Sequence, residues 1–254
     1  MLRSRITPCL LVHKKGLVKT VQFKNPKYVG DPINAVKIFN EKEVDELIVL
    51  DIDATVDGRG PDFNMIKNLA IECRMPFCYG GGVTKVEQAK EIIRLGAEKV
   101  ALSSTAINNF SILEKIGKAV GVQSLVVVLD VKKKLLGGYE IYINNGKKAT
   151  GIKLKDFILK LNAVGVGEIV INSIDQDGKM SGYDMSLIEM VRQTTDFPIT
   201  VMGGAGSVED IRSVISKYKP IGVSAGSLFV FKGKYKAVLI NYPSKEERKA
   251  LLKN

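Results

Sequence analysis

The chain has no tryptophan, one histidine (His13) and only three cysteines, Cys9, Cys73 and Cys78, in 254 residues. An odd cysteine count without a CxxC pair argues against a disulfide framework and against a thiolate zinc site. It suits a reducing cytoplasm, with no metal and no cofactor expected and the thiols read as small buried core residues. Long apolar runs are also missing. No stretch nears the roughly 20 apolar residues that a membrane span needs, so no membrane partner is expected. Met1 is followed at once by Arg3, Arg5 and strand-like residues, so no signal peptide is expected before the fold. The net charge of +11 comes without a basic helix, an aromatic platform or a zinc finger, which argues against nucleic acid. Lys132–Lys134, Lys147–Lys148 and the lysines of the C-terminal tail read mainly as solvated surface, with some attraction for phosphorylated ligands.

An apolar fraction of 45% supports a sizeable core, and the length suits one α/β domain over 1–254. Eight short runs rich in Val, Ile and Leu read as strands: Ile6–Val12, Leu47–Ile52, Pro76–Tyr79, Lys99–Ser103, Leu125–Asp130, Glu168–Ser173, Ile199–Met202 and Gly222–Ala225. They lack strict alternation, as strands buried on both faces should. Amphipathic segments lie between them. Pro32–Asn40 follows Asp31 as N-cap; Val83–Gly96 has Thr84 as cap; Ser186–Thr194 and Ser207–Lys217 repeat the pattern. Strand–helix units in this number predict a parallel (β/α)8 TIM barrel. The segment Val131–Thr150 breaks the rhythm: Tyr139, Ile141 and Ile143 alternate with polar residues between Gly137–Gly138 and Asn145–Gly146, which predicts a β-hairpin inserted after strand five.

The two halves of the chain echo each other. "VLDIDATVDGRGPDFNMI" returns as "INSIDQDGKMSGYDMSLI" about 122 residues later, which predicts half-barrels of about 1–122 and 123–254. Gly80–Gly82 and Gly203–Gly204–Gly206 each follow a strand and open a helix, where bare backbone N–H groups suit an anion. With the small residues that end strands four and eight, the symmetry predicts two phosphate cups. One is Gly82, Ser103 and Ser104; the other is Asp177, Gly178, Gly204, Gly226 and Ser227.

Several motifs together resemble the HisF family, the cyclase subunit of imidazole glycerol phosphate synthase. They are "RITPCL" at 5–10, "GDP" at 30–32, "DELIVLDI" at 45–52, "GGGV" at 80–83, "TGI" at 150–152, "SIDQDGKMSGYD" at 173–184 and "GGAG" at 203–206. The resemblance covers nearly the whole chain. It implies a barrel that receives ammonia from a HisH-like glutaminase partner, in a heterodimer; the ammonia attacks a bis-phosphorylated nucleotide derivative, which is cleaved and cyclised at the strands' C-terminal mouth. It also implies a gate: Arg5, Glu46, Lys99 and Glu168 stand at strand entries, and their alternating charges could close a ring. Two aspartates at the ends of strands one and five act in that family as general acid and base. Asp130 matches the second; Leu11 stands at the first. Lys19, a ligand contact in the mobile first loop of that family, is kept, and His13 is a candidate stand-in for the absent acid. Asp51 and Asp53 are nearby carboxylates. Ser103–Ser104 and Asn172–Ser173 also depart from the family pattern, so Asn172 joins the expected ligand contacts of a retuned site.

This combination resembles a second group of HisF-like proteins, from bacterial surface-polysaccharide (lipopolysaccharide) pathways. There a sugar amidotransferase converts an acetamido group to an acetamidino group with ammonia supplied by a glutaminase. Three readings stand: an ammonia-channelling synthase subunit for sugar amidination, a working cyclase of histidine biosynthesis, and a non-catalytic scaffold that activates a glutaminase.

Overall fold

A computed structural model describes residues 3–252. Eight parallel strands make the barrel: β1 (Arg5–His13), β2 (Leu47–Asp51), β3 (Phe77–Gly80), β4 (Lys99–Leu102), β5 (Leu125–Lys133), β6 (Glu168–Ser173), β7 (Ile199–Met202) and β8 (Gly222–Ala225). Each pairs with the next along the chain, and β8 pairs back onto β1 in parallel through Arg5↔Gly222 and Ile6↔Val223, so the ring is closed. Closure leaves no strand with a wet face, and the alternation of side chains then serves two cores. Leu47 and Val49 of β2 point outward into the larger core, with Phe77, Val100 and Ile169. Ile48 points inward, with Cys9, Cys78, Ala101, Val126, Val128, Val170 and Met202.

The outer ring is α1 (Pro32–Glu41), α2 (Phe63–Glu72), α3 (Val86–Arg94), α4 (Ser111–Val120), α5 (Leu154–Val164), α6 (Met185–Arg192) and α7 (Val208–Tyr218), followed by α8 (Lys245–Leu252). Caps set where these helices begin. The Asp31 carboxylate accepts from the Asn34 N–H at 2.9 Å. Asp62 accepts from Met65 N–H, and Asp184 from Leu187 N–H, each at 3.0 Å. Those two aspartates occupy matching places in the echoed sequences, so the same cap serves both copies. No helix among the described residues is long and apolar enough to cross a membrane.

Several boundaries differ from expectation. Thr84 is not the cap of α3; the helix starts at Val86 after Lys85, and the Gln88 side chain accepts from the N–H groups of both Thr84 and Lys85. The first turn is thus closed from inside the helix. The segment after β1 is not a plain loop but a hairpin, Gly16–Val21 with Lys24–Gly30, paired onto the end of β1. The hairpin after β5 is present and longer than expected: β5 runs on to Lys133, and Tyr139–Ile143 and Lys148–Lys153 complete a meander.

Phe39 of α1 is fully buried in the outer core, whereas Ile71 of α2 is mostly exposed. Phe39→Ala should lower unfolding free energy by about 3–5 kcal/mol, and Ile71→Ala by less than about 0.5 kcal/mol. Urea denaturation of the two variants checks this.

Candidate functional site

Four charges close one end of the barrel. Arg5 opens β1, Glu46 precedes β2, Lys99 opens β4 and Glu168 opens β6. Lys99 Nζ donates to Glu46 Oε1 at 2.6 Å and to Glu168 Oε2 at 2.7 Å. Arg5 Nη2 donates to Glu168 Oε1 at 2.7 Å, and its Nε lies 3.0 Å from Glu46 Oε2, close enough for an ion pair though not aligned as a hydrogen bond. Each cation therefore bridges both carboxylates. The Thr200 hydroxyl of β7 also donates to Glu168. Both glutamates are buried. Burial alone would raise the Glu168 carboxyl, but Arg5, Lys99 and the hydrogen bonds outweigh it and hold it below its ordinary range. Burial likewise works against the Lys99 ammonium, and the two glutamates reverse that and raise it. The two cations and two carboxylates cancel in formal charge, the condition under which buried charges are tolerated.

Above the ring comes the inner core, and above that a cavity of about 1320 Å³, counted out into open solvent, at the strands' C-terminal ends. Every residue expected to bind ligand lines this one cavity: Lys19, Gly82, Ser103, Ser104, Asn172, Asp177, Gly178, Gly204, Gly226 and Ser227, with Asp130 among them. Leu11 and its register partner Leu50 supply an apolar part of the wall. His13 is not in the lining. Its Nδ1 lies 2.7 Å from Asp53 Oδ1, and the Lys14 N–H donates to Asp53 Oδ2 at 2.7 Å, so it ties the first loop to the second. Asp51, also in the wall, accepts from the N–H groups of Asp53 and Ala54 and holds the second loop in place.

Asp130 and Asn172 are register partners on β5 and β6, and Asn172 Nδ2 donates to Asp130 Oδ1 at 2.9 Å. Burial pushes the Asp130 carboxyl up to about 7, against the lowering effect of that hydrogen bond and with a further rise from Asp177. Asn172 Oδ1 is buried and has no partner. An orphaned acceptor in a cavity wall is costly, and a ligand donor would satisfy it. Lys19 is buried, its Nζ donates to the Cys9 carbonyl at 2.6 Å, and burial lowers its pKa, outweighing the opposing electrostatic pull of the Cys9 and Asp177 side chains. A Cβ at position 226 would stand 2.7 Å from that Nζ, so Gly226 is what lets Lys19 reach inward. Asp177 is not free. It accepts from the Thr20 hydroxyl at 2.7 Å and the Phe23 N–H at 3.2 Å, and fastens the first hairpin across the mouth. Burial pushes its carboxyl up. Not all the glycine-loop N–H groups are open either, since Gly206 N–H is taken by Asp210 at 2.9 Å.

Asn144 and Asn145 also line the cavity, and Asn145 Nδ2 donates to the Ile52 carbonyl at 2.7 Å. The sequence marks them only as a turn; that the hairpin folds back over the mouth is a tertiary fact. The three thiols are free, and burial pushes both Cys9 and Cys73 up to about 12 and raises Cys78 as well, so none is a poised nucleophile. Among the described residues there is no cluster of three or more potential metal ligands.

A closed barrel with small residues, amides and a raised carboxyl gathered at the strands' C-terminal ends defines a TIM-barrel protein with a cavity at that mouth. The family described as "Histidine biosynthesis protein" matches residues 5–236. A protein of Vibrio vulnificus, provisionally named imidazole glycerol phosphate synthase subunit hisF3, is 54% identical, over 99% of this chain and 97% of its own. One of Leptospira interrogans, provisionally named subunit HisF of the same synthase, is 52% identical over 99% of both chains. The imidazole glycerol phosphate synthase subunit HisF of Streptococcus sanguinis is 38% identical, over 90% of this chain and 91% of its own. The chain belongs to the HisF family.

A carboxyl that holds its proton more tightly when folded favours the fold in acid and gives that advantage up as pH rises from about 4 to about 7. Asp130→Asn removes this loss. The variant should match the parent near pH 4 and exceed it by roughly 2 kcal/mol at pH 8, a value discounted because the side chain keeps some contact with water. Urea midpoints across that range check it.

Proposed function

We propose that this chain is the synthase subunit of a glutamine amidotransferase. It takes ammonia from a glutaminase docked over the four-charge end and carries it along the barrel axis, for amidination of a surface-polysaccharide sugar. The observation that carries the reading is the pairing of an intact charge ring with Leu11 at the mouth. Leucine can neither give nor take a proton, so the cavity holds one member of a carboxylate pair, Asp130, with Asn172 beside it.

The axis suits a neutral passenger. The inner core of Cys9, Cys78, Ala101 and valines offers ammonia no obstacle of polarity, while ammonium would lose its hydration there. The ring is closed in this conformation, with Lys99 bridging both glutamates, so passage requires Lys99 to swing aside. At the mouth, Ser103, Ser104, Gly82 and the Gly204–Gly226–Ser227 side are the proposed contacts for a phosphorylated ligand, with Lys19 as the cation between them. The acceptor would be amidinated here or in a sugar amidotransferase placed against the mouth.

A second reading, the cyclase of histidine biosynthesis, is favoured by the names of the relatives. The two are separated by giving the purified chain ammonium salt and the cyclase substrate. The first reading expects turnover slower than a working cyclase by about 10²–10⁴-fold, with no rescue of a histidine auxotroph; a normal rate or rescue would overturn it. With the glutaminase bound, Lys99→Ala should uncouple glutamine hydrolysis from product formation and leave activity on free ammonia intact. Unchanged coupling would remove the conduit from the account.

A further inference from the structure

The net positive excess of this protein sits in three places. These are the hairpin segments 14–30 after β1, 132–153 after β5 and 231–238 after β8. Together they hold fourteen lysines, of which only Lys19 is turned into the cavity, no arginine and one glutamate, whereas the whole chain carries +11, so everything outside them has a small negative excess. All three follow C-terminal strand ends and therefore belong to the mouth side of the barrel. The first and third touch, with Lys27 Nζ 5.2 Å from the centre of the Phe231 ring. The second rises from β5, across the barrel from β1.

The same segments carry bare apolar side chains. Leu135 and Leu136 have relative exposures of 106% and 102%, directly after Lys132, Lys133 and Lys134, in the turn closed by Gly137 and Gly138. Tyr235 is 91% exposed between Lys234 and Lys236. Tyr28 is exposed on the first hairpin. β5 continues past Asp130 before turning, so at about 3.3 Å per residue the leucines stand on the order of 15 Å beyond the cavity floor. Only Lys134 has a salt-bridge partner within the segment, Glu140 at 3.7 Å.

We propose that this face attaches peripherally to an anionic lipid surface, with Leu135 and Leu136 entering the headgroup layer and the lysines lying over it. Lysine clusters beside exposed leucine and tyrosine are the chemistry of such attachment. A protein partner fits less well. Protein interfaces are depleted in lysine and favour arginine, whose fork fixes geometry, and these segments contain none. The apolar groups are also projecting tips rather than a groove. Lack of a membrane-crossing helix does not bear on surface attachment. The inference is independent of what chemistry the cavity performs.

The test is sedimentation of the full chain with vesicles of mixed phosphatidylglycerol and phosphatidylcholine, against phosphatidylcholine alone. Binding to the mixed vesicles at about 50 mM salt and release near 500 mM are expected. The uncharged double variant Leu135→Gln/Leu136→Gln should bind at least about tenfold more weakly, and Ile71→Gln, exposed on the outer ring, should bind like the parent. Absence of sedimentation with anionic vesicles would overturn the proposal and leave the hairpins to a protein contact. Equal binding of the leucine variant and the parent would overturn it too, as mere attraction of a basic protein.

Discussion

Closing eight strands into a ring removes every wet face from the sheet, and the rest of the molecule follows from that constraint. Inward positions must be filled by side chains small enough to fit around one axis, and here they are two cysteines, an alanine, isoleucine, valines and a methionine. Charged groups are thereby driven to the two ends. At one end four charges meet and cancel. At the other, amides, hydroxyls, a lysine and three carboxyls line an open cavity. The separation of ring from cavity by an apolar plug is a consequence of barrel geometry before it is a feature of any reaction.

That geometry also decides how the strand-five mouth carboxyl behaves. Asp130 is flanked by an amide that donates to it and faces Leu11 and Leu50 rather than a second acid at the end of β1. Burial without a cation in contact raises it to about 7. Glu168 is buried too yet goes the other way, because two cations touch it. For these two carboxyls, burial pushes both up and the cations in contact decide whether the push prevails.

Much of this was legible in the residues. Continuous Val/Ile/Leu runs announced strands buried on both faces, and the echo of Asp62 in Asp184 marked matching helix starts. The small residues after strands three, four, seven and eight pointed to one cavity because parallel strands deliver their ends to one side. Less visible was anything that depends on how loops fold back. The hairpin at 16–30 has a polar, lysine-rich second strand, so its pattern resembles a loop. The engagement of Asp177 by Thr20, and of His13 by Asp53, joins residues 157 and 40 positions apart, and no local spacing encodes either. The start of α3 moved for a related reason: Gln88 competes with Thr84 for the capping role, and propensity at one position does not show which will win.

The knot between Asp177 and the first hairpin has a kinetic meaning. Lys19, Thr20 and Phe23 form one wall of the cavity, and that wall is anchored across the mouth by the Asp177 carboxylate, which accepts from Thr20 and Phe23, and by Gln22, whose N–H and side chain donate to the carbonyls of Asp177 and Asp175. Whatever fills the cavity can leave by that side only when these hydrogen bonds let go together. The lifetime of an occupant is thus tied to the breathing of a strap whose fastening is part of its own wall.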